Sequence, residues 1–596
     1  MQGADRQNPN MLTTTQAAPL GRVISVRGSQ ARIGILSTNQ VNLSGVRATV
    51  GQFFGIRTAT TIIVAIITEV TREDLPSSDN YIASASVDLL GEISIGSNAK
   101  FQRGVTSYPT IGDLVDILTN EQLRTVYAPS KAEQINIGTL QQDPTVTAYV
   151  DVEDMLSKHF AVLGSTGVGK SSGVSLLLNE ILIVRPNLRV FLLDVHNEYG
   201  RCFGTKANVL NPRNLKLPFW LFNFEEIVDV LFGGRPGVPE ELEVLVELIP
   251  VAKTIYTQYQ NADRLGLKRI DAKTVGYTAD TPVPYRVVDL IALIDERMGK
   301  LENRSSRIIY HKLISRIETV KNDPRYSFMF ENANVGGDTM AEVLSMLFRL
   351  PANGKPMTIM QLAGFPAEVV DSVVSVLCRM AFDFGLWSDG ASPMLFVCEE
   401  AHRYASADRG VGFGPTRKAV SRIAKEGRKY GVYLALVTQR PAELDATIIS
   451  QCNTLFAMRL ANERDQALLR SAVSDAAANL LSFVPSLGTR EVLAFGEGVA
   501  LPTRLRFKEV PAHQLPRTEA TTTTTPTAHT GHDINFVSSV LERWRGATSH
   551  REAPNDPTFN DRGGERLPPR VPEAPMLQPS MGLDPDRFSL LKKPLR

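Results

Sequence analysis

A chain of 596 residues with 43% hydrophobic and 21% charged residues has the composition of a globular protein of three or four domains. Its net charge of +1 excludes a surface that attracts nucleic acid everywhere, so any contact with DNA must come from a local positive groove or pore. Cys202, Cys378, Cys398 and Cys452 stand far apart with no C-x-x-C pair, which argues against a disulfide or zinc framework and for reduced cytosolic thiols. No apolar run reaches the ~18 residues of a membrane span, and no basic-then-apolar leader opens the chain. A cytoplasmic protein with no membrane partner is expected.

Residues 1–18 read as disordered. From Gly21 short runs rich in Val, Ile and Thr follow: GRVISVRG, ARIGILS, GQFFGIRT and TTIIVAIITEVTRE. Their period-2 stretches predict a small β-barrel over 19–145; a β-sandwich fits the same signals. HFAVLGSTGVGKSSGVSLLLNEIL, residues 159–182, then reads as strand, glycine loop and helix. It opens an α/β domain whose first part spans 146–222 and continues with LRVFLLDVHNEYG. Helical periods dominate 223–342, as an insertion or as a separate domain. The α/β pattern resumes over 343–511 with KPMTIMQLAG, SPMLFVCEEAHRY and VYLALVTQRP. Residues 512–596 read as a Thr-rich linker and a largely disordered tail, in which INFVSSVLERWRG could form a short amphipathic helix.

GSTGVGKS meets every fixed position of G-x-x-x-x-G-K-[ST]. Gly164, Gly167 and Gly169 let the backbone turn its N–H groups onto phosphates, with Ser165, Thr166, Val168 and Ser172 completing the loop. Lys170 brings a charge to the β/γ-phosphates and Ser171 a hydroxyl to Mg²⁺. The loop therefore predicts a bound nucleoside triphosphate. In MLFVCEEAHRY a buried strand ends in two carboxylates, Glu399 for the metal and Glu400 as the base that polarises water. LALVTQRP ends a further strand in Thr438 and Gln439, the candidate γ-phosphate sensor. Arg417, Lys418, Arg422, Lys425, Arg428 and Lys429 follow GVGFGPTRK on a helix. Each can be a transition-state arginine (or lysine) offered to a neighbouring subunit, a DNA-phosphate contact, or part of a solvated cationic face. Asp194, His196 and Glu198 lie past a strand next to the loop, in a nucleotide-adjacent or structural place rather than a zinc site.

These residues resemble the HerA branch of the HerA/FtsK P-loop ATPases: GSTGVGKS, DVHNEYG, EEAHRY, EGRKYGVYLALVTQRP and ISQCNTLFAMRLAN occur in that family's order, and FQRGVTSYPTIGDLV is similar to part of its barrel. The resemblance implies an α/β fold, a RecA-like P-loop NTPase core with an N-terminal small β-barrel and a helical insertion. It implies a homohexameric ring that hydrolyses ATP with Mg²⁺ and passes double-stranded DNA through its pore. Lys170 and Ser171 become the phosphate-loop pair, Glu399 the metal-side acid, Glu400 the catalytic glutamate and Gln439 the sensor. Arg428 and Arg422 are both candidates for the arginine acting in trans. Glu399 departs from the aspartate of many relatives, which bears on metal dependence. The family also implies an effector, a nuclease or a sirtuin-like NADase, docked on the barrel face in anti-phage defence or DNA end processing. The alternative is a nucleotide-binding ring that assembles and gates an effector with little translocation.

Overall fold

The computed structural model describes residues 19–36, 48–72, 81–96, 99–129, 131–265, 276–300, 304–331, 337–408, 410, 412–473 and 479–517, with positions 538 and 541. The expectations for residues 1–18, for the linker and tail beyond 517 and for the helix in INFVSSVLERWRG lie outside the described residues, apart from Ser538 and Leu541 of that segment, which are helical.

Seven strands form the N-terminal sheet: β1 (Gly21–Arg27), β2 (Gln30–Leu36), β3 (Phe53–Arg57), β4 (Thr61–Thr71), β5 (Tyr81–Ser94), β6 (Phe101–Arg103) and β7 (Leu114–Ile117). Their order is β2-β1-β7-β3-β4-β5-β6, and β2 also pairs with β5, which closes six strands into a barrel and leaves β6 outside the ring. Closure removes the free edges that so many β-branched residues would otherwise expose. Alternation then sorts the run TIIVAIITEVT. Ile63, Ala65 and Ile67 fill the barrel with Val23, Ile33, Phe54 and Val87, while Val64 and Ile66 point outward into the main core. A strand buried on both faces carries a continuous apolar run, as residues 62–67 do.

Helix α1 (Asn120–Tyr127) leads to β8 (Gln134–Leu140), β9 (Thr147–Asp151), α2 (Val152–Leu156), β10 (His159–Leu163), α3 (Lys170–Val184), β11 (Arg189–Asp194) and β12 (Ala207–Leu210). A helical stretch follows: α4 (Phe224–Phe232), α5 (Pro239–Leu265), α6 (Val287–Gly299), α7 (Arg304–Asn322), α8 (Ser327–Phe330) and α9 (Met340–Phe348). The chain returns through β13 (Met357–Gln361), α10 (Val370–Trp387), β14 (Met394–Glu399), α11 (Gly414–Glu426), β15 (Val432–Thr438), α12 (Ala446–Ile449), β16 (Cys452–Ala457), α13 (Glu463–Ala472), β17 (Glu491–Gly496) and β18 (Thr503–Phe507). Among the described residues no helix is long and apolar enough to cross a membrane.

The second sheet has eleven strands in the order β12-β13-β11-β14-β15-β10-β16-β17-β18-β8-β9. From β12 to β16 all neighbours are parallel; from β16 to β9 all are antiparallel. This is the RecA-like P-loop core: the phosphate-loop strand β10 and the acidic strand β14 are separated by β15. One expectation is corrected here. Residues 134–140, read as part of the barrel, form β8, which pairs with β18 and β9 in the large sheet. Its alternation suits either sheet, and only the pairing with a strand more than 360 positions later assigns it.

Strand β10 begins at His159, which is 1% exposed. Its Nε2 lies 2.9 Å from the Ala424 carbonyl and its Nδ1 accepts the Leu434 N–H at 2.9 Å, so the ring is held neutral as the Nε2–H tautomer. Burial, with Arg428 nearby, pushes its pKa down to about 4 against the bonds that favour the charge. The folded value lies below the unfolded one, so its stabilising effect is present above the ordinary histidine pKa and is lost as pH falls toward about 4. Melting curves between pH 7 and pH 4 should show a fall in Tm that His159→Gln flattens. An equal slope in the variant would assign the acid sensitivity to other groups.

Candidate active site

Parallel strands deliver their following loops to one end of the sheet, and register aligns the residues that matter. Leu163 of β10 is level with Thr438 of β15, and Glu399 of β14 is level with Val437. The phosphate loop, Glu399–Glu400 and Gln439 therefore emerge side by side.

The loop turns through Gly167 (φ +77°) and Gly169 (φ +97°), left-handed values that favour glycine. Gly169 is the N-cap of α3 and supplies no side-chain cap, which leaves the first N–H groups of the helix for an anion. Lys170 is buried, with Nζ 3.4 Å from Glu400 Oε1. Burial lowers its pKa, while Glu400 and Glu399 oppose that shift.

Glu400 is also buried and has a left-handed backbone, φ +48° and ψ +46°, unusual for a side chain of this size. Gln439 Nε2 donates to its Oε1 at 2.5 Å, and the Oε1 of Gln439 in turn accepts from the hydroxyl of Thr166 at the loop tip. The other oxygen of Glu400 has no hydrogen bond among the described residues; His402 Nδ1 lies 3.3 Å from it. That imidazole is placed by Thr438 Oγ1 at 3.0 Å, and His196 Nε2 approaches Glu400 Oε1 to 3.9 Å. The arrangement leaves one buried carboxylate oxygen with spare acceptor capacity, beside the loop that binds phosphates.

Glu399 points the other way, where its Oε2 accepts the Val195 N–H at 3.3 Å. Burial, with Asp194 and Glu198 adding like charge, raises its pKa to about 8. Asp194 is raised to about 6, mainly by burial, although the N–H groups of Glu198 and Tyr199 each donate to it at 3.0 Å. Ser171 Oγ donates to Glu198 Oε2 at 3.1 Å. Glu198, Glu399 and Glu400 thus act on one lysine, with Asp194 beside Glu399 and Glu198, an excess of negative charge that a divalent cation relieves. No three His, Cys, Asp or Glu residues among the described ones form a ready ligand set. This donor set suits Mg²⁺ held by Ser171, Glu399 through water, and substrate phosphates, rather than a closed protein cage.

The two arginines proposed to act in trans are not brought to this cluster. Arg422 Nη1 lies 3.3 Å from Asp383 Oδ1, with its guanidinium 4.0 Å above the Phe382 ring. Arg428 is exposed in the turn after α11. Lys418 pairs with Glu225 at 3.6 Å, and Arg417 reaches the Asp408 carbonyl at 3.5 Å. The sequence alone does not reveal His402 as the neighbour of Glu400, nor Thr438 as the residue that places His402. His402 lay inside the quoted EEAHRY, but nothing local shows that it turns back onto the acid. A cleft of about 820 Å³ beside α4 and α7 has no residue of the phosphate loop in its lining.

A family model described as "Helicase HerA, central domain" matches residues 135–381. The chain is 24% identical over 470 residues to the DNA double-strand break repair helicase HerA of Pyrococcus furiosus, covering 72% of this chain and 79% of that protein. It is 25% identical over 464 residues to a probable helicase of Methanocaldococcus jannaschii, covering 74% and 81%. Among solved structures it is similar to VirB4 of Thermoanaerobacter pseudethanolicus, with a TM-score of 0.42 and 14% identity over 64% of this chain and 98% of that one. It is also similar to the plasmid coupling protein TrwB in complex with ADP and Mg²⁺, with a TM-score of 0.41 and 14% identity over 67% and 94%.

Proposed function

We propose that this chain is a HerA-type P-loop ATPase, the motor subunit of a homohexameric ring that uses ATP and Mg²⁺ to move double-stranded DNA through its pore. The observation that carries the reading is the buried Glu400, held by Gln439 and Lys170 with one oxygen free, next to the phosphate loop. A phosphate-binding loop alone would fit a switch or a kinase. A fixed carboxylate that can take a proton from water fits hydrolysis.

In this reading Lys170 and the loop N–H groups, from Gly164 to Ser172, seat the triphosphate. Ser171 and Glu399 hold the Mg²⁺, which neutralises phosphate charge when bound. Glu400 accepts a proton from water as the water oxygen bonds to the γ-phosphorus and the bond to the β–γ bridging oxygen breaks, giving ADP and phosphate. Gln439, bonded to both Glu400 and Thr166, couples the presence of γ-phosphate to the acid. Arg428 is the better candidate to act in trans: both arginines are exposed, but Arg422 is committed to Asp383 and Phe382, whereas Arg428 forms no salt bridge among the described residues. The barrel is the docking face for an effector, a nuclease or a sirtuin-like NADase, in anti-phage defence or DNA end processing in the cytoplasm.

The deciding measurement is steady-state ATP hydrolysis with and without linear duplex DNA. Stimulation by DNA is expected. Hydrolysis indifferent to DNA would overturn the motor and favour a ring that assembles and gates its effector.

A further inference from the structure

A cavity of about 420 Å³ opens beside the phosphate loop, and Glu400 is not part of its lining. Gly169, the N-cap of α3, with Ser172 and Gly173 of its first turn, forms one wall; Arg490, Phe507 and Val510 are among the residues that form the other. We propose that this cavity holds the nucleoside of the substrate and that Arg490 is the side chain that grips the base. The proposal rests on the ATPase reading above and extends it to the other end of the nucleotide.

Polarity comes first. Glu400 and Gln439 mark the γ end of the triphosphate, so the α-phosphate lies toward Ser171 and Ser172, where the helix begins. Ribose and base must continue past Ser172, and this cavity is what they meet. Its volume is within the ~300–1,000 Å³ of small-ligand pockets.

The walls are built for close approach. A Cβ on Gly173 would come within 2.7 Å of the Phe507 ring, so glycine there lets the aromatic floor lie against the helix. Arg490 is tied to the loop itself. Its N–H donates to the Val168 carbonyl at 2.9 Å, its carbonyl accepts the Phe507 N–H at 2.9 Å, and its backbone has φ +65°. A residue held in that strained region by two hydrogen bonds places its side chain with little freedom. Gly169 shares the contact, since a Cβ there would lie 3.4 Å from Arg490 Cγ. Phosphate seating and guanidinium position are therefore mechanically one unit.

The guanidinium is not consumed elsewhere. Its partner Glu509, 3.0 Å away, has a side chain 85% exposed, and such a pair is weak in water. Arg490 itself is only 26% exposed. A planar cation at the mouth of a cavity with an aromatic floor is suited to lie over a purine ring. The segment after Phe507 is strapped along the same helix by Lys508 to Glu180 at 2.9 Å and by Ser175 Oγ to the Gln514 carbonyl at 2.8 Å, which keeps the second wall in place.

The test measures binding of ATP and of inorganic tripolyphosphate, with Mg²⁺, to the wild-type chain and to Arg490→Asn, with Arg490→Gly as a second variant; both residues tolerate the left-handed backbone. We expect ATP affinity to fall about 5- to 30-fold while tripolyphosphate affinity changes less than about twofold. KM for ATP should rise much more than kcat falls. Equal losses for both ligands would show that Arg490 only shapes the loop, and unchanged ATP affinity would remove it from the nucleotide; either result overturns the proposal. Failure of the wild-type chain to bind ATP or tripolyphosphate would instead strike the ATPase reading on which the proposal rests.

Discussion

Glu400→Gln should lower kcat for ATP hydrolysis by about 10²- to 10⁴-fold while ATP binding persists. The substitution keeps the shape of the side chain and keeps an oxygen to accept from Gln439 Nε2, now 2.5 Å from Glu400 Oε1. It removes the ability to take a proton. It also removes a negative charge 3.4 Å from Lys170, which leaves that lysine freer to serve phosphate. Binding of a fluorescent ATP analogue and phosphate release, measured on one preparation, separate the two effects. A variant that retains hydrolysis within about tenfold of wild type would place the base elsewhere, with Glu198 or Glu399 next in line. Loss of binding together with hydrolysis would show instead that Glu400 organises the loop.

The second large effect is on stability. Glu226 of α4 is fully buried and accepts from Arg379 Nη2 at 2.8 Å and Nε at 3.2 Å, from Ser375 Oγ at 2.8 Å and from the Asn223 N–H at 2.8 Å. Arg379 also donates to the Leu221 carbonyl at 2.7 Å. One ion pair thereby ties the first helix of the helical stretch to α10, the helix that leads into the strand of Glu399. Arg379→Ala leaves the carboxylate without its counter-charge in a place water does not reach, and should cost about 3–5 kcal/mol. Chemical denaturation followed by circular dichroism reads this as a lower midpoint. Changing both partners together, Glu226→Gln with Arg379→Met, should restore part of the loss, because no charge is then buried alone. A cost near that of a surface pair, below about 1 kcal/mol, would mean that water enters this seam in solution.

The parts of the candidate site that are local were legible in the sequence. Eight consecutive residues make the phosphate loop, and its chemistry needs only a strand before it and a helix after it. Glu399 and Glu400 were legible for the same reason: four apolar residues followed by two acids describe a buried strand that ends where ligands sit. The barrel too could be read from alternating Val, Ile and Thr, although its far boundary could not. Strand β8 alternates like its neighbours, and pairing with β18 alone assigns it to the other sheet.

Only the tertiary structure decided how those pieces meet. Lys170 and Glu400 are 230 positions apart, and Glu400 and Gln439 meet because β15 lies between β10 and β14. Strand order is set by which apolar faces pack and which crossovers fit, and no short window of residues encodes it. The same holds for His402, turned back onto Glu400 by a hydrogen bond to Thr438, and for Arg490, brought to the phosphate loop by one backbone bond to Val168. The chemistry of each group is a property of its residue type and could be named in advance. Which groups share a site is a property of long-range packing, and it follows only once the sheet has closed around them.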